Sequence, residues 1–203
     1  MMAYTVADND AVNSTANAAT PSQKRDVYVT GFGKFGDILE NPTTFLAKKL
    51  EEHHKVTESH VLEERGRPCI FLHFGVSAVA CSVKLEQVGY NVADFRIPDE
   101  RGYVAKDEVI HEGEPDNMTT EVPLEEMLMT LQAMHLGVSI STDPGRYICN
   151  YVYYRSLVWA KGQATKGHSR HLVLFVHVPE FRTLGFEDQM ALASTIVDMV
   201  ADL

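Results

Sequence analysis

The chain contains short runs in which hydrophobic residues are continuous or alternate with polar ones, and these runs predict strands. Between them lie longer stretches in which hydrophobic residues have the spacing of an amphipathic helix, and these stretches predict helices. The predicted strands are 26–30, 59–64, 69–74, 83–91, 137–142 and 171–178. The predicted helices begin at Pro42 and also cover 124–134, 147–161 and 186–199. This alternation favours an α/β fold, a three-layer α/β/α sandwich around a mostly parallel, mixed sheet.

The flanking composition predicts one domain behind an N-terminal extension. Residues 1–24 are rich in Ala, Asn, Ser, Thr and Asp without any period, which predicts disorder. Residues 25–203 show no internal boundary, and their charged, Gly-containing stretch 99–121 predicts a loop or hairpin excursion. At the helix that Pro42 opens, Asn41 is the expected N-cap. Phe45, Leu46 and Leu50 form its expected apolar stripe.

Composition and charge limit the classes of molecule that this protein is expected to bind. The 203 residues carry a formal net charge of −10, which argues against a nucleic-acid or anionic-membrane partner. Neither a signal peptide nor a bilayer-spanning apolar stretch is visible, so we expect a cytosolic protein. Cys69, Cys81 and Cys149 lack the spacing of a zinc site, so we expect free thiols in a reducing compartment, with neither metal nor cofactor.

A glycine-rich segment at residues 31–36 has the G-x-G-x-x-G pattern of dinucleotide-binding proteins. The next helix starts at Pro42, too late for its N-terminus to hold a pyrophosphate, and no acidic residue follows a second strand at the right distance. An oxidoreductase is therefore a weak alternative. Phe32 and Phe35 fill the loop and fit better as two aromatic plates beside a strand end, or simply as core residues.

Cys149 is the strongest candidate for chemistry. It follows a predicted strand and the turn Asp143-Pro144-Gly145, and it lies near the first turn of a predicted helix. The positive end of a helix stabilises a thiolate, the reactive form of cysteine, although a buried structural cysteine is the bland alternative. His177 ends a buried strand, where functional residues of α/β sheets gather, and Cys149 also follows a strand end, so the two could meet on the same rim of the sheet. His73, inside an apolar strand, is more typical of a core histidine.

Several segments together resemble the pyroglutamyl-peptidase I family, cysteine-type omega peptidases that remove N-terminal pyroglutamate from peptides. In chain order they are T-G-F-G-K-F-G with Asn41-Pro42, H-F-G-V-S at 73–77, L-E-Q-V-G-Y-N at 85–91, R-I-P-D at 96–99, D-P-G-R-Y-I-C-N-Y at 143–151 and F-V-H-V-P at 175–179. The resemblance spans about residues 26–202. It implies a phosphorylase/hydrolase-like fold, no cofactor, and small peptide substrates that begin with pyroglutamate.

The resemblance also implies a catalytic set. Cys149 would be the nucleophile and His177 the general base and acid. Glu86 would orient His177, although by itself it would be interpreted as a solvated strand residue. Asp94 and Asp99 are nearby acidic alternatives that rank below Glu86.

Other roles follow from the same resemblance. Phe32 and Phe35 match aromatic residues that hold the flat, neutral pyrrolidone ring, and Asn41 and Val76 are further substrate-binding candidates. The oxyanion would be held by backbone N–H groups at the helix start, including that of Cys149. Arg146 either helps there or shapes the turn.

Departures from the family pattern concern the pocket and one excursion. Lys34 stands where proline is common, Pro144 where a small residue is usual, and Val76 where bacterial members often have glutamine. The stretch 54–68 is short for the family. Two rivals to the peptidase stay open besides the oxidoreductase: a cysteine hydrolase of another cyclic amide, and a binding protein that keeps the pocket without the chemistry. The oligomeric state, a homo-oligomer included, is not fixed by the sequence.

Overall fold

The computed structural model describes residues 2–6, 25–34, 38, 40–53, 68–167 and 169–203. Within these ranges no helix is both long and apolar enough to cross a membrane. The strands are β1 (Met2–Val6), β2 (Asp26–Gly31), β3 (Cys69–Val76), β4 (Val83–Glu86), β5 (Val88–Tyr90), β6 (Val92–Ala93), β7 (Glu108–Val109), β8 (Asn117–Thr119), β9 (Val138–Ser141) and β10 (Leu172–Val178). The helices are α1 (Pro42–His53), α2 (Leu124–Gln132), α3 (Ile148–Thr165) and α4 (Phe186–Ala201).

Within the described ranges, six strands form the central sheet in the order β1-β2-β3-β10-β4-β9. The three strands β2, β3 and β10 are parallel to one another, whereas β4 is antiparallel to β10 and β9 runs parallel to β4. The sheet is therefore mixed around a parallel centre, as the sequence predicts. Two further ribbons, β5-β8 and β6-β7, form outside the sheet.

Both faces of the central strands are buried, which explains their unbroken apolar sequences. Every residue of β10 is buried, and its side chains alternate between the two faces. Leu174 and Val176 join the large core under α1, α2 and α4, whereas Val173 and Phe175 pack with residues of α3 on the other face. The three layers α/β/α predicted from the sequence are confirmed, with α3 as the helix that packs on the second face.

The end of β2 passes unusually close to α1. A Cβ atom added to Gly31 would lie 2.2 Å from the backbone oxygen of Thr43, so only glycine permits this approach. Asn41 caps the helix as predicted, because its Oδ1 accepts a hydrogen bond from Thr43 N at 3.0 Å. In the expected apolar stripe Leu46 and Leu50 are fully buried, but Phe45 is 43% exposed and packs against Phe181 at the surface.

Four sequence predictions need comment. Residues 2–6 form β1, an antiparallel partner of β2, so the N-terminal extension predicted to be disordered contains a strand, while its residues 7–24 lie outside the described ranges. The predicted strand 59–64 also lies outside them. The predicted strand 83–91 is divided between β4 and β5, because β5 leaves the sheet to pair with β8. The excursion 99–121 contains β7 and β8.

Candidate active site

Glu86 and His177 are joined by a buried hydrogen bond. The ring nitrogen Nδ1 of His177 lies 2.8 Å from Oε1 of Glu86, and the two residues are 7% and 1% exposed. Glu86 ends β4 and His177 lies one residue before the end of β10, on two adjacent antiparallel strands. With Nδ1 engaged by the carboxylate, the ring is held in one orientation and its Nε2 is left for another partner.

That partner is the thiol of Cys149. Cys149 is the second residue of α3, where backbone N–H groups have no partner within the helix. Its sulfur lies against Gly75 of β3, since a Cβ atom added to that glycine would be 3.1 Å from Sγ. Gly75 is the register neighbour of His177, so the thiol of Cys149 lies beside the imidazole and interacts with it electrostatically. The structure thus brings Glu86, His177 and Cys149 together.

The ionisation of His177 follows from these two contacts. Burial alone would lower its pKa, because desolvation penalises the imidazolium. The favourable interactions with Cys149 and with the Glu86 carboxylate outweigh burial and raise the pKa of His177 to about 9. The histidine is therefore charged at neutral pH, and a neighbouring imidazolium stabilises a thiolate.

One step of the sequence argument is wrong although the two residues do meet. It placed Cys149 and His177 on one rim because both follow or end strands of a parallel sheet. However, β9, which leads to Cys149, runs antiparallel to β10, and Glu86 at the end of β4 pairs with both Ser141 and Phe175. The segment after Ser141 therefore has to run back towards the opposite end of the sheet, through the turn, before α3 begins beside Gly75.

Two residues of α3 that sequence reasoning did not select hold this arrangement in place. Asn150 is fully buried, and its side chain accepts from Tyr90 N and donates to Tyr90 O, both at 2.8 Å. Tyr153 donates from its hydroxyl to the backbone oxygen of Glu86 at 2.7 Å. The helix that carries Cys149 is thus tied to the segment that carries Glu86. The polar Asn directly after Cys149 was the signal available in the sequence.

Phe32 contributes an aromatic wall beside the nucleophile. Its ring lies 6.2 Å from that of Phe175, and both belong to a cluster that includes Cys149. Asn41 is buried and its side chain donates to Gly33 O at 2.7 Å while also capping α1. The structure therefore gives Asn41 a role in shaping the loop, and its contact with substrate stays a prediction. Phe35 lies outside the described residues.

The side chain of Val76 lies on the far face of the sheet, and that of Arg146 contacts Tyr90 and Asp143. Val76 follows Gly75 in β3 and is paired with Val178, a residue of the core on the far face, so strand alternation turns its side chain away from Cys149. The guanidinium of Arg146 lies 3.8 Å from the centre of the Tyr90 ring and pairs with Asp143 at 2.7 Å. Of the two predicted roles of Arg146, the structure supports shaping the turn.

The remaining acidic candidates do not reach His177. Asp94 is 42% exposed and pairs with Lys106, and Asp99 accepts hydrogen bonds from the backbone N–H groups of Arg101 and Tyr103 in an exposed turn. Glu86 was identified from the family resemblance, and the geometry agrees with that choice.

Two other histidine environments, that of His73 and that of the contact between Cys69 and His171, differ from the site at Cys149. His73 hydrogen-bonds Thr30 and Ser156 at 2.7 and 2.9 Å, and burial lowers its pKa to about 4, so it is a neutral core histidine as predicted. Cys69 lies 3.0 Å from Nδ1 of His171. Burial, with the charge of Asp26, raises the pKa of Cys69 to about 12, which keeps it a thiol. Among the described cysteines, Cys149 is the one that lies beside a histidine whose pKa is raised.

Comparison with known proteins shows which family this chain resembles. The family model described as pyroglutamyl peptidase matches residues 59–201. The chain belongs to the pyroglutamyl peptidase family. It is 33% identical over 171 residues to the pyrrolidone-carboxylate peptidase of Pyrococcus furiosus, a match that covers 75% of this chain and 80% of the relative.

Longer matches extend the likeness to most of the chain. The human pyroglutamyl-peptidase 1 is 27% identical over 201 residues, which is 89% of this chain and 91% of the relative. The solved structure of the pyrrolidone carboxyl peptidase from Thermococcus litoralis superimposes with a TM-score of 0.72 at 26% identity, covering 88% of this chain and 93% of that chain. The α/β fold of this chain is thus the fold of the pyroglutamyl peptidase family.

Proposed function

We propose that this protein is a cysteine-type omega peptidase that hydrolyses the bond after an N-terminal pyroglutamyl residue, with Cys149 as nucleophile, His177 as general base and acid, and Glu86 as the group that orients His177. The observation that carries the proposal is the buried chain of contacts from Glu86 through His177 to Cys149. The raised pKa of His177 supports an imidazolium at neutral pH, the partner that a catalytic cysteine needs.

The reaction runs through a thioester. The Cys149 thiolate attacks the pyroglutamyl carbonyl carbon, and the oxyanion that forms accepts hydrogen bonds from free N–H groups at the start of α3. The C–N bond breaks as the His177 imidazolium gives its proton to the departing amine. A water molecule then passes a proton to neutral His177 and attacks the thioester. The C–S bond breaks, pyroglutamate leaves, and the thiolate–imidazolium pair is restored.

Selectivity for pyroglutamate follows from the environment of Phe32. The pyrrolidone ring is flat and uncharged, so it can be buried against an aromatic face, with Phe35 as the second expected plate. A free glutamine or glutamate would bring an ammonium group into the same slot, and burying that charge unpaired would cost several kcal/mol. The pocket therefore selects by excluding charge as well as by holding the ring.

We further propose a cytosolic location, because a reducing compartment keeps a catalytic thiol from being oxidised. All three cysteines of the chain are free, which is consistent with such a compartment. Expression of a tagged full-length chain followed by fractionation checks this, and recovery in a secreted or membrane fraction would contradict it.

The test compares three fluorogenic amides, pyroglutamyl, prolyl and glutaminyl, on the wild type and on Cys149→Ala. We expect turnover of the pyroglutamyl amide alone, its loss in Cys149→Ala, and retention in the control Cys81→Ala, which removes an exposed thiol. A thiol alkylator should abolish turnover in the wild type and in Cys81→Ala at the same rate. Turnover that survives in Cys149→Ala would refute the assignment, and its absence from the wild type would favour a binding protein.

A further inference from the structure

Lys84 lies on the catalytic face of the sheet, directly opposite His177. It pairs in register with His177 of β10 on one side and with Ser139 of β9 on the other. Its neighbours Val83 and Leu85 are buried in the core of the opposite face, so strand alternation turns Lys84 to the face that carries His177. Residues directly opposite in antiparallel strands have Cβ atoms about 4.5–5.5 Å apart.

The ammonium group of Lys84 points from β4 towards β9, on the side away from His177. Its Nζ donates to the hydroxyl of Ser139 at 2.8 Å, and both side chains are half-buried. In the part of the chain that the structure describes, the Lys84 ammonium forms no ion pair with a carboxylate. Its hydrogen-bond partner is the neutral hydroxyl of Ser139. A half-buried cation held by a neutral group retains its capacity to bind an anion.

The order of the strands decides which part of a substrate would meet this cation. Phe32 follows β2, the nucleophile lies over Gly75 of β3, His177 is on β10, and Lys84 and Ser139 lie on β4 and β9. With the pyroglutamyl ring at Phe32, the departing amine lies at His177, because that residue gives it a proton. The rest of the departing peptide continues over β4 and β9. Adjacent strands are about 4.8 Å apart and one residue spans about 3.5 Å, so Lys84 faces the first or second residue after the cleaved bond.

We propose that Lys84 and Ser139 form an anion-binding subsite for the departing part of the substrate, selecting pyroglutamyl peptides that carry a carboxylate on the first or second residue after the cleaved bond. This inference rests on the proposed peptidase function. The carboxylate is either the C-terminal group of a short peptide or an acidic side chain, and both sources present the same group to Nζ.

The test measures a ratio of kcat/KM values within matched substrate pairs. Pyroglutamyl-alanine against its C-terminal amide reports on a terminal carboxylate, and pyroglutamyl-glutamyl amide against pyroglutamyl-glutaminyl amide reports on a side-chain carboxylate. We expect the wild type to favour the charged member of at least one pair by about five- to tenfold, and the preference to shrink as salt rises. The Lys84→Met variant should bring that ratio to about one.

Two further variants make the result specific. Lys84→Arg keeps the charge and should keep most of the preference. Lys166→Met removes a lysine just beyond the far end of α3, about 25 Å along the helix from Cys149 at 1.5 Å per residue, and should leave the ratio unchanged. A wild-type ratio near one in both pairs, or a preference that survives in Lys84→Met, overturns the subsite while the peptidase stands. No turnover of any pyroglutamyl amide by the wild type overturns both.

Discussion

Replacing Gly75 by alanine would place a methyl group between the nucleophile and its surroundings. The added Cβ would lie 3.1 Å from the sulfur of Cys149 and 2.7 Å from two ring atoms of Phe175. The Phe175 ring cannot easily retreat, because it is fully buried and packs against the rings of Phe32, Tyr153 and His177. The backbone of β3 at position 75 therefore has to shift away from the ring, and the sulfur of Cys149 has to shift as well, which changes its position beside His177.

Two magnitudes follow from this geometry. Inserting a methylene-sized group into a well-packed interior costs about 1–3 kcal/mol of unfolding free energy, and in a domain of this size 1 kcal/mol lowers the melting temperature by about 2–4 °C. A displacement of about 1 Å in a reacting group can reduce the rate about 100-fold. We therefore expect Gly75→Ala to stay folded at 25 °C but to lose about 100-fold in kcat/KM for a pyroglutamyl amide.

The assay separates lost activity from lost folding. Thermal unfolding gives the stability, and the rate of Cys149 alkylation by iodoacetamide reports the state of the thiol independently of substrate binding. The control is Gly162→Ala, because Gly162 lies inside α3 with open space around its Cα. Alanine there should leave activity unchanged and raise stability by about 0.5–1 kcal/mol. A Gly75→Ala protein with wild-type kcat/KM and alkylation rate would refute the reasoning.

Two other predictions concern titration. Replacing Glu86 by glutamine removes the negative charge that helps to raise the pKa of His177, so that pKa should fall from about 9 and kcat should fall by roughly 100- to 10,000-fold. The pH profile of kcat/KM reports the pKa and the rate at saturating substrate reports kcat, and an unchanged alkaline limb would contradict the contact. His73 has a folded pKa of about 4 against about 6.5 when unfolded, so the unfolded state binds more protons between these values and stability falls by about 3 kcal/mol as pH drops through this window. Urea unfolding from pH 7 to 4 should show a shallower decline for His73→Gln, and parallel curves would sink the argument.

The central strands could be predicted because burial on both faces leaves a plain signal. Each residue of Leu172–Val178 is buried, and such a run of apolar residues has few interpretations other than a central strand or a buried helix. The break after Glu86 could not be predicted, since apolar residues alternate on both sides of it. It is fixed by Gln87, whose backbone donates to Ser141 O and accepts from Thr120 N, two partners far away in the chain.

The site divides in the same way between local and long-range signals. Cys149 at a helix start and His177 at a strand end carry local signals that the sequence displays. Glu86 does not, because a glutamate on a strand is normally solvated; it was found only through the family resemblance. Lys84 and Gly75 were not found at all. Their importance depends on which residues face them across the sheet, and that register is not visible in one sequence.

The reversal of β4 is what makes a glutamate suitable at position 86. In the antiparallel pair Glu86 lies opposite Phe175, two residues before His177 on the same face. Such diagonal neighbours are about 7–8 Å apart at their Cα atoms, a gap that a long side chain can bridge. The position directly opposite His177 is taken by Lys84, close to the rim of the sheet. The antiparallel strand β4 thus supplies two charged groups to His177: a buried carboxylate that reaches the ring diagonally, and a cation directly opposite the histidine. The direction of β4 therefore sets both the orientation of His177 and the charge that the departing peptide meets.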